Sequence, residues 1–256
     1  MGNYFYISKK SGKITPYNFK LGLNPLLGGS MDKKEAYLFS LVSLLAYGTE
    51  FEVKDFKPGP TFENKSSDTQ GMFGTAYDKY WVVAFRGSEE TGPEDWITDL
   101  KFIKQNYAYD TPYKGLKIHS GFMGAYQSIR PVVIDRVKKA SSKDIVCTGH
   151  SLGAALATLA AFDIKNTLPD KDVSCFTYGS PKVGNDNFAK AYNALVPNTY
   201  RFVNGPDLVP QALLVGYEHV GKLYHVGKDN AEWDGIMGKV ECHLPKNYIK
   251  TLKAEL

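Results

Sequence analysis

At 256 residues and 43% hydrophobic content the chain is long enough for one large core and short for two enzyme domains. Its 31 Lys and Arg against 27 Asp and Glu leave a formal net charge of +4 with no long run of either sign, which argues against a nucleic-acid partner and suits a solvated exterior or, at most, an anionic lipid surface. No segment approaches the ~18 consecutive apolar residues of a membrane span, so no integral membrane segment is expected.

The opening MGNYFYISKKSGK lacks the apolar run and cleavage site of a secretory leader. Tyr6 stands where a myristoylation signal has Ser or Thr, so the chain reads as cytoplasmic or as secreted without a leader. After this polar lead-in, residues 31 to 47 carry apolar side chains at helical spacing, with Ser30 and Asp32 as capping candidates and Gly48 as a stop. QGMFGTAY and YWVVAFR, within residues 70 to 86, read as two strands joined at Asp78-Lys79, the second apolar enough to be buried on both faces. Strand-like runs at 144 to 149, 173 to 179 and 199 to 203 alternate with helical patterns at about 122 to 139, 152 to 165 and 185 to 195. The alternation predicts an α/β fold: a mostly parallel sheet flanked by helices. Residues 215 to 226 add a strand or hairpin at the sheet edge, and residues 246 to 256 a closing helix. No repeat or linker divides the chain, which reads as one domain over residues 1 to 256. Cys147, Cys175 and Cys242 are odd in number, and two lie in apolar strand-like segments, so all three are expected as free core thiols.

Chemistry concentrates at Gly149-His150-Ser151-Leu152-Gly153, between an apolar strand and the helix-prone LGAALATLAAF. A serine forced into a sharp strand-to-helix turn projects its hydroxyl away from the sheet, and flanking glycines remove side chains that would collide there. The same turn aims a helix N-terminus at the reacting carbonyl, so the Leu152 N–H is a candidate oxyanion donor. The plain alternative is a glycine-rich connection and nothing more. A serine hydroxyl needs a histidine base and an orienting carboxylate, in the order Ser, acid, His for this kind of fold. Asp207 follows the strand-like TYRFV on a loop at its carboxyl end, where sites in open α/β sheets gather, although an aspartate after Gly-Pro is also an ordinary turn former. His243, in ECHLPKNY, is expected on a loop before the closing helix and is the preferred base. His219 and His225 lie in a strand pattern, and His119 and His150 precede the nucleophile as packing or hydrogen-bonding residues.

The chain resembles the class 3 lipases, the family of fungal triacylglycerol lipases and their bacterial relatives, over roughly residues 70 to 250. The resemblance is carried by Ala84-Phe85-Arg86-Gly87-Ser88, Asp95-Trp96 with Asp99-Leu100, His119-Ser120-Gly121-Phe122, the GHSLG turn, Tyr178 through Asn185, Asn204 through Pro210, and the late His243 with Tyr248. It implies an α/β-hydrolase fold with Ser151 as nucleophile, Asp207 as acid, His243 as base, and Ser88 with Leu152 as the oxyanion pair. After Pro93, the residues Trp96, Ile97, Leu100 and Ile103 fall on one helical face and Glu94, Asp95 and Asp99 on the other. This short helix resembles the family's lid, over about residues 89 to 102, the plain alternative being an ordinary surface helix fixed to the body. Leu208, Val209, Leu213 and Leu214 suit an acyl-binding wall, or equally a core.

The function expected is that of a serine carboxylic ester hydrolase, a triacylglycerol lipase working through an acyl-enzyme without metal or organic cofactor. Its partners would be a lipid or small-molecule ester and, transiently, a lipid–water interface. The alternatives are an esterase or phospholipase with the same triad, and a lipase-like binding module without activity. No leader and no disulfide pair are evident, unlike the secreted members.

Overall fold

The structure is a computed structural model that describes residues 4–7, 14–17, 31–88, 103–212, 214–227 and 235–256. The chain forms two compact units, Met1–Ser30 and Met31–Leu256. In the first, β1 (Tyr4–Ile7) and β2 (Ile14–Tyr17) pair antiparallel with Tyr4 opposite Tyr17.

The second unit opens with α1 (Lys33–Leu45), which Asp32 caps by accepting from the Lys34 N–H at 2.7 Å and which Gly48 closes at φ 80°. Then come β3 (Phe56–Asn64), β4 (Thr69–Ala76) and β5 (Tyr80–Phe85), a small hairpin of β6 (Lys104–Asn106) and β7 (Lys117–His119), and α2 (Ser120–Lys139). The alternation expected from the sequence follows: β8 (Asp144–His150), α3 (Leu152–Thr167), β9 (Asp172–Tyr178), α4 (Asp186–Leu195) and β10 (Asn198–Asn204). The chain ends with α5 (Leu208–Gln211), β11 (Lys222–Val226), α6 (Gly235–His243) and α7 (Pro245–Ala254). Seven strands form one sheet in the order β11-β10-β9-β8-β5-β4-β3. Pairings from β11 through β5 are parallel, and those of β5 with β4 and β4 with β3 are antiparallel.

Side-chain alternation splits the core between the two sheet faces. On β5, Val83 and Phe85 join Cys147, Cys175 and the helices α2, α3 and α4 on one face; Val82 and Ala84 join Phe39, Phe176, Phe202 and Tyr248 on the other. All four of those β5 residues are fully buried, as their unbroken apolar run predicts. The three cysteines are buried and form no disulfide among the described residues, with Cys147 opposite Cys175 across β8 and β9. β3 escapes the pattern reading because FKPGPTFEN is mostly exposed and interrupted by Pro58 and Pro60. An edge strand tolerates both, and its register shifts between Pro58 and Thr61. Among the described residues no helix is long and apolar enough to cross a membrane.

Candidate active site

Parallel strands deliver their carboxyl ends to one edge of the sheet, and the candidate residues follow those ends: Ser88 after β5, Ser151 after β8, Gly179 after β9 and Asp207 after β10. Ser151 joins β8 to α3 with φ 59° and ψ −125°, a conformation that costs a non-glycine residue about 1 to 3 kcal/mol and must be held by its surroundings. Its N–H donates to the Tyr178 carbonyl at 3.0 Å, and its own carbonyl accepts from Ala154 and Ala155 at 3.0 and 3.3 Å. The flanking glycines are required by contact. A Cβ on Gly149 would lie 2.3 Å from the Gly153 carbonyl oxygen, and one on Gly153 would lie 2.2 Å from that of Phe85. The Ser151 side chain makes no capping bond to α3, which leaves its hydroxyl uncommitted to the helix.

Asp207 is fully buried and N-caps the short α5. Its carboxylate accepts from the Val209 N–H at 2.9 Å, from the Tyr248 hydroxyl at 2.6 Å, and from His243 Nδ1 at 2.9 and 3.0 Å. A buried carboxylate with three donors is well supplied with hydrogen bonds. Among the described residues His243 Nε2 is buried without a hydrogen-bond partner, so one ring nitrogen is tied to a carboxylate and the other is left open. This is the arrangement a general base needs: a fixed Nδ1–H tautomer and an available Nε2. Contrary to the loop expected, His243 is the last residue of α6, and α7 begins at Pro245. Only Leu244 separates the helices, and a proline at the first helical position reads in sequence as a loop boundary.

Gly179 joins the two halves of the site. Ser151 is bonded to the preceding residue, Tyr178. At Gly179, where φ is +60°, a Cβ would meet His243 Cε1 and Nδ1 at 2.8 Å and Asp207 Oδ2 at 3.0 Å. The serine and the imidazole–carboxylate pair therefore lie against consecutive residues of one strand end. Ser88 is exposed, and the Gly87 before it packs so closely on the His150 carbonyl that a Cβ would fall 2.7 Å away. Leu152 is the first residue of α3, where N–H groups have no intrahelical acceptor. The two expected oxyanion donors thus follow the ends of β5 and β8, adjacent strands of the sheet.

The remaining histidines have structural bonds. His119 caps α2 by accepting from the Phe122 N–H at 3.4 Å, His225 Nε2 donates to the Gly205 carbonyl at 2.9 Å, and His219 Nε2 to that of Pro210 at 2.8 Å. Burial, with the Arg201 charge nearby, lowers the His219 pKa to about 3. His219 lies before the strand in which it was expected, whereas His225 is on β11. Val209 and Leu214 are buried and Leu208 is half-buried, so of the expected acyl wall Leu208 is the part near the surface; Leu213 lies outside the described residues. So do Trp96, Ile97 and Leu100, the residues expected to form a lid. Sequence reasoning missed the Tyr248 bond to Asp207 and the Asn204 amide that donates to the Cys242 carbonyl at 3.0 Å. Both residues stand in the motifs quoted above, which was the only signal. Among the described residues no cluster of three or more His, Cys, Asp or Glu is arranged to hold a metal.

Comparison with known proteins identifies the family. The model of the family described as Lipase (class 3) matches residues 82–216, more than half of the chain. A lipase of Rhizomucor miehei is 31% identical over 189 residues, which cover 70% of this chain and 51% of that protein. The crystal structure of a lipase from Rhizopus microsporus var. chinensis superposes with a TM-score of 0.67 at 29% identity, covering 78% of this chain and 76% of the other. A triacylglycerol lipase described as having a serine protease triad for its catalytic centre superposes with a TM-score of 0.65 at 27% identity, covering 78% and 82%. The chain spans about half the length of the curated relatives it matches. The fold is that of an α/β-hydrolase, and the chain belongs to the class 3 lipase family.

Proposed function

We propose that this protein is a serine carboxylic ester hydrolase that cleaves triacylglycerols, with Ser151 as nucleophile, His243 as base and Asp207 as acid. The observation that carries the reading is the buried His243 imidazole, held at Nδ1 by Asp207 and open at Nε2, against the same strand end that holds Ser151. In the first half-reaction His243 Nε2 takes the Ser151 proton as Oγ attacks the ester carbonyl. Asp207 stabilises the imidazolium that forms. The N–H groups of Leu152 and Ser88 stabilise the oxyanion of the tetrahedral intermediate. As that intermediate collapses, Nε2 returns the proton to the departing alkoxide, and the alcohol leaves an acyl-serine. Water then attacks with its proton passing to Nε2, and the carboxylic acid is released with Ser151 restored. The triglyceride assignment rests on the activity named for the relatives.

The test is titrimetric acid release from tributyrin, scanned from below to above its solubility limit, with Ser151→Ala in parallel. The expected result is a rate that rises once emulsion forms and falls by on the order of 10⁴ or more in the variant. Near-normal turnover in Ser151→Ala would remove the assignment. A serine-dependent rate confined to dissolved ester would replace lipase by esterase.

A further inference from the structure

His150, the residue before the nucleophile, is fully occupied in a way that the triad does not explain. Its Nε2 lies 2.6 Å from the His243 backbone carbonyl and its Nδ1 lies 2.8 Å from the Tyr47 hydroxyl. Its ring lies over that of His243, with centroids 4.5 Å apart at 39°. A carbonyl only accepts, so Nε2 carries the proton; in the neutral ring Nδ1 then accepts, and Tyr47 is the donor. The Tyr47 oxygen sits on the oxyanion loop, where a Cβ at Gly87 would come within 2.1 Å of it.

We infer that His150 is a positioning residue for the base, and Tyr47 for His150: a hydroxyl–imidazole–carbonyl chain that fixes the His243 backbone and ties it to the Gly87-Ser88 turn. The inference rests on the reading of Ser151, His243 and Asp207 as the reacting triad. The His243 carbonyl belongs to the last turn of α6, where carbonyls have no intrahelical donor, and only Leu244 separates it from α7. A backbone shift at this junction would swing the imidazole. The His150 N–H holds the junction in place.

The chain also keeps positive charge away from the base. His243 becomes an imidazolium during the reaction, and a second cation stacked on it would oppose that step. Burial first, and then the His243 charge, hold His150 well below the ordinary imidazole range. The groups facing it are Tyr47 beyond the end of α1, His243 from α6, Tyr248 from α7 with ring centroids 5.8 Å away, and Asp207 behind His243. The Tyr47 hydroxyl donates to the Nδ1 lone pair at which a second proton would add.

The test is kcat and KM on a dissolved p-nitrophenyl ester from pH 5 to 9 for the wild type, Tyr47→Phe, His150→Gln and His150→Leu, with thermal unfolding of each. Tyr47→Phe should lose about tenfold in kcat at unchanged KM, about one hydrogen bond. Its acid limb should move to higher pH, because His150 then protonates more readily beside the base. His150→Leu should lose about tenfold or more without that displacement, and His150→Gln, which keeps an N–H for the carbonyl, should recover most of the rate. Wild-type kcat and an unmoved acid limb in Tyr47→Phe would overturn the inference and leave the triad standing. So would a loss equal at every pH that tracks thermal destabilisation. A wild type that neither hydrolyses the ester nor takes up a serine-directed phosphonate would remove the triad reading and this inference with it.

Discussion

Gly179 has no side chain because His243 and Asp207 occupy the place where one would go. Replacing it with Ala puts a methyl group 2.8 Å from the imidazole and asks an L-residue to hold φ +60°. The strand end is fixed by its neighbours, so the imidazole is the part that moves. A displacement near 1 Å costs on the order of 10² in rate. Gly179→Ala should therefore lose about 10² in kcat while remaining folded by circular dichroism, and a kcat within threefold of wild type would contradict the contact. Tyr248 acts on the other side of the carboxylate. Burial, then the Asp207 charge, raise its pKa well above the ordinary phenol range, so it stays a donor at every working pH. Tyr248→Phe removes one bond to a charged acceptor, about 1.5 to 3 kcal/mol, and should lower kcat by about ten- to a hundredfold with little change in KM. The residues expected to react were legible because each sits in a local pattern: a glycine-flanked serine, an aspartate after a strand, a late histidine. Gly179 and Tyr248 were quoted only as parts of motifs. Their contacts join segments 28 to 64 residues apart in sequence, and only the fold brings them together.

At the scale of the element, α3 follows the Ser151 turn and carries a buried polar cluster at its far end. Asp163, fully buried, accepts from Arg130 Nε and the Tyr126 hydroxyl at 2.7 Å, and from the Tyr107 hydroxyl and Thr167 at 3.1 Å. The cluster fastens α2 to α3. Asp163→Ala leaves a partly buried guanidinium without its carboxylate. Breaking such a pair costs about 3 to 5 kcal/mol, and the low end is expected here because about a quarter of the Arg130 side chain, 23%, remains in water. Twelve residues of helix place Asp163 roughly 18 Å along the axis from Ser151, so kcat per folded molecule should not change. A urea midpoint close to wild type would show the cluster to be dispensable. Elements with one clear periodicity, such as β5, β8 and α3, were readable from sequence. β3, broken by Pro58 and Pro60, and α6, which ends one residue before the next helix begins, were not, because tertiary contacts rather than local pattern stabilise them.

Across the whole molecule, the one-ended placement of the site leaves buried and half-buried histidines bracing the segments around it, and this makes stability depend on pH. His219 ties the loop before β11 to the Pro210 carbonyl, and its pKa falls from 6.5 in the unfolded chain to about 3 in the folded one. Between those values the unfolded state binds the proton and the native state does not, so acid favours unfolding. The stability that neutral His219 confers is complete above pH 6.5 and is lost as pH falls toward 3. His150, lowered by burial, acts in the same direction. Urea unfolding at pH 7, 6, 5 and 4 should give midpoints that decline below pH 6.5 in the wild type. His219→Gln keeps an amide donor for Pro210 but cannot take a proton, so its midpoints should decline less steeply over the same interval. Parallel declines in the two proteins would mean that other groups, the carboxylates among them, account for the acid sensitivity and that His219 contributes only its hydrogen bond.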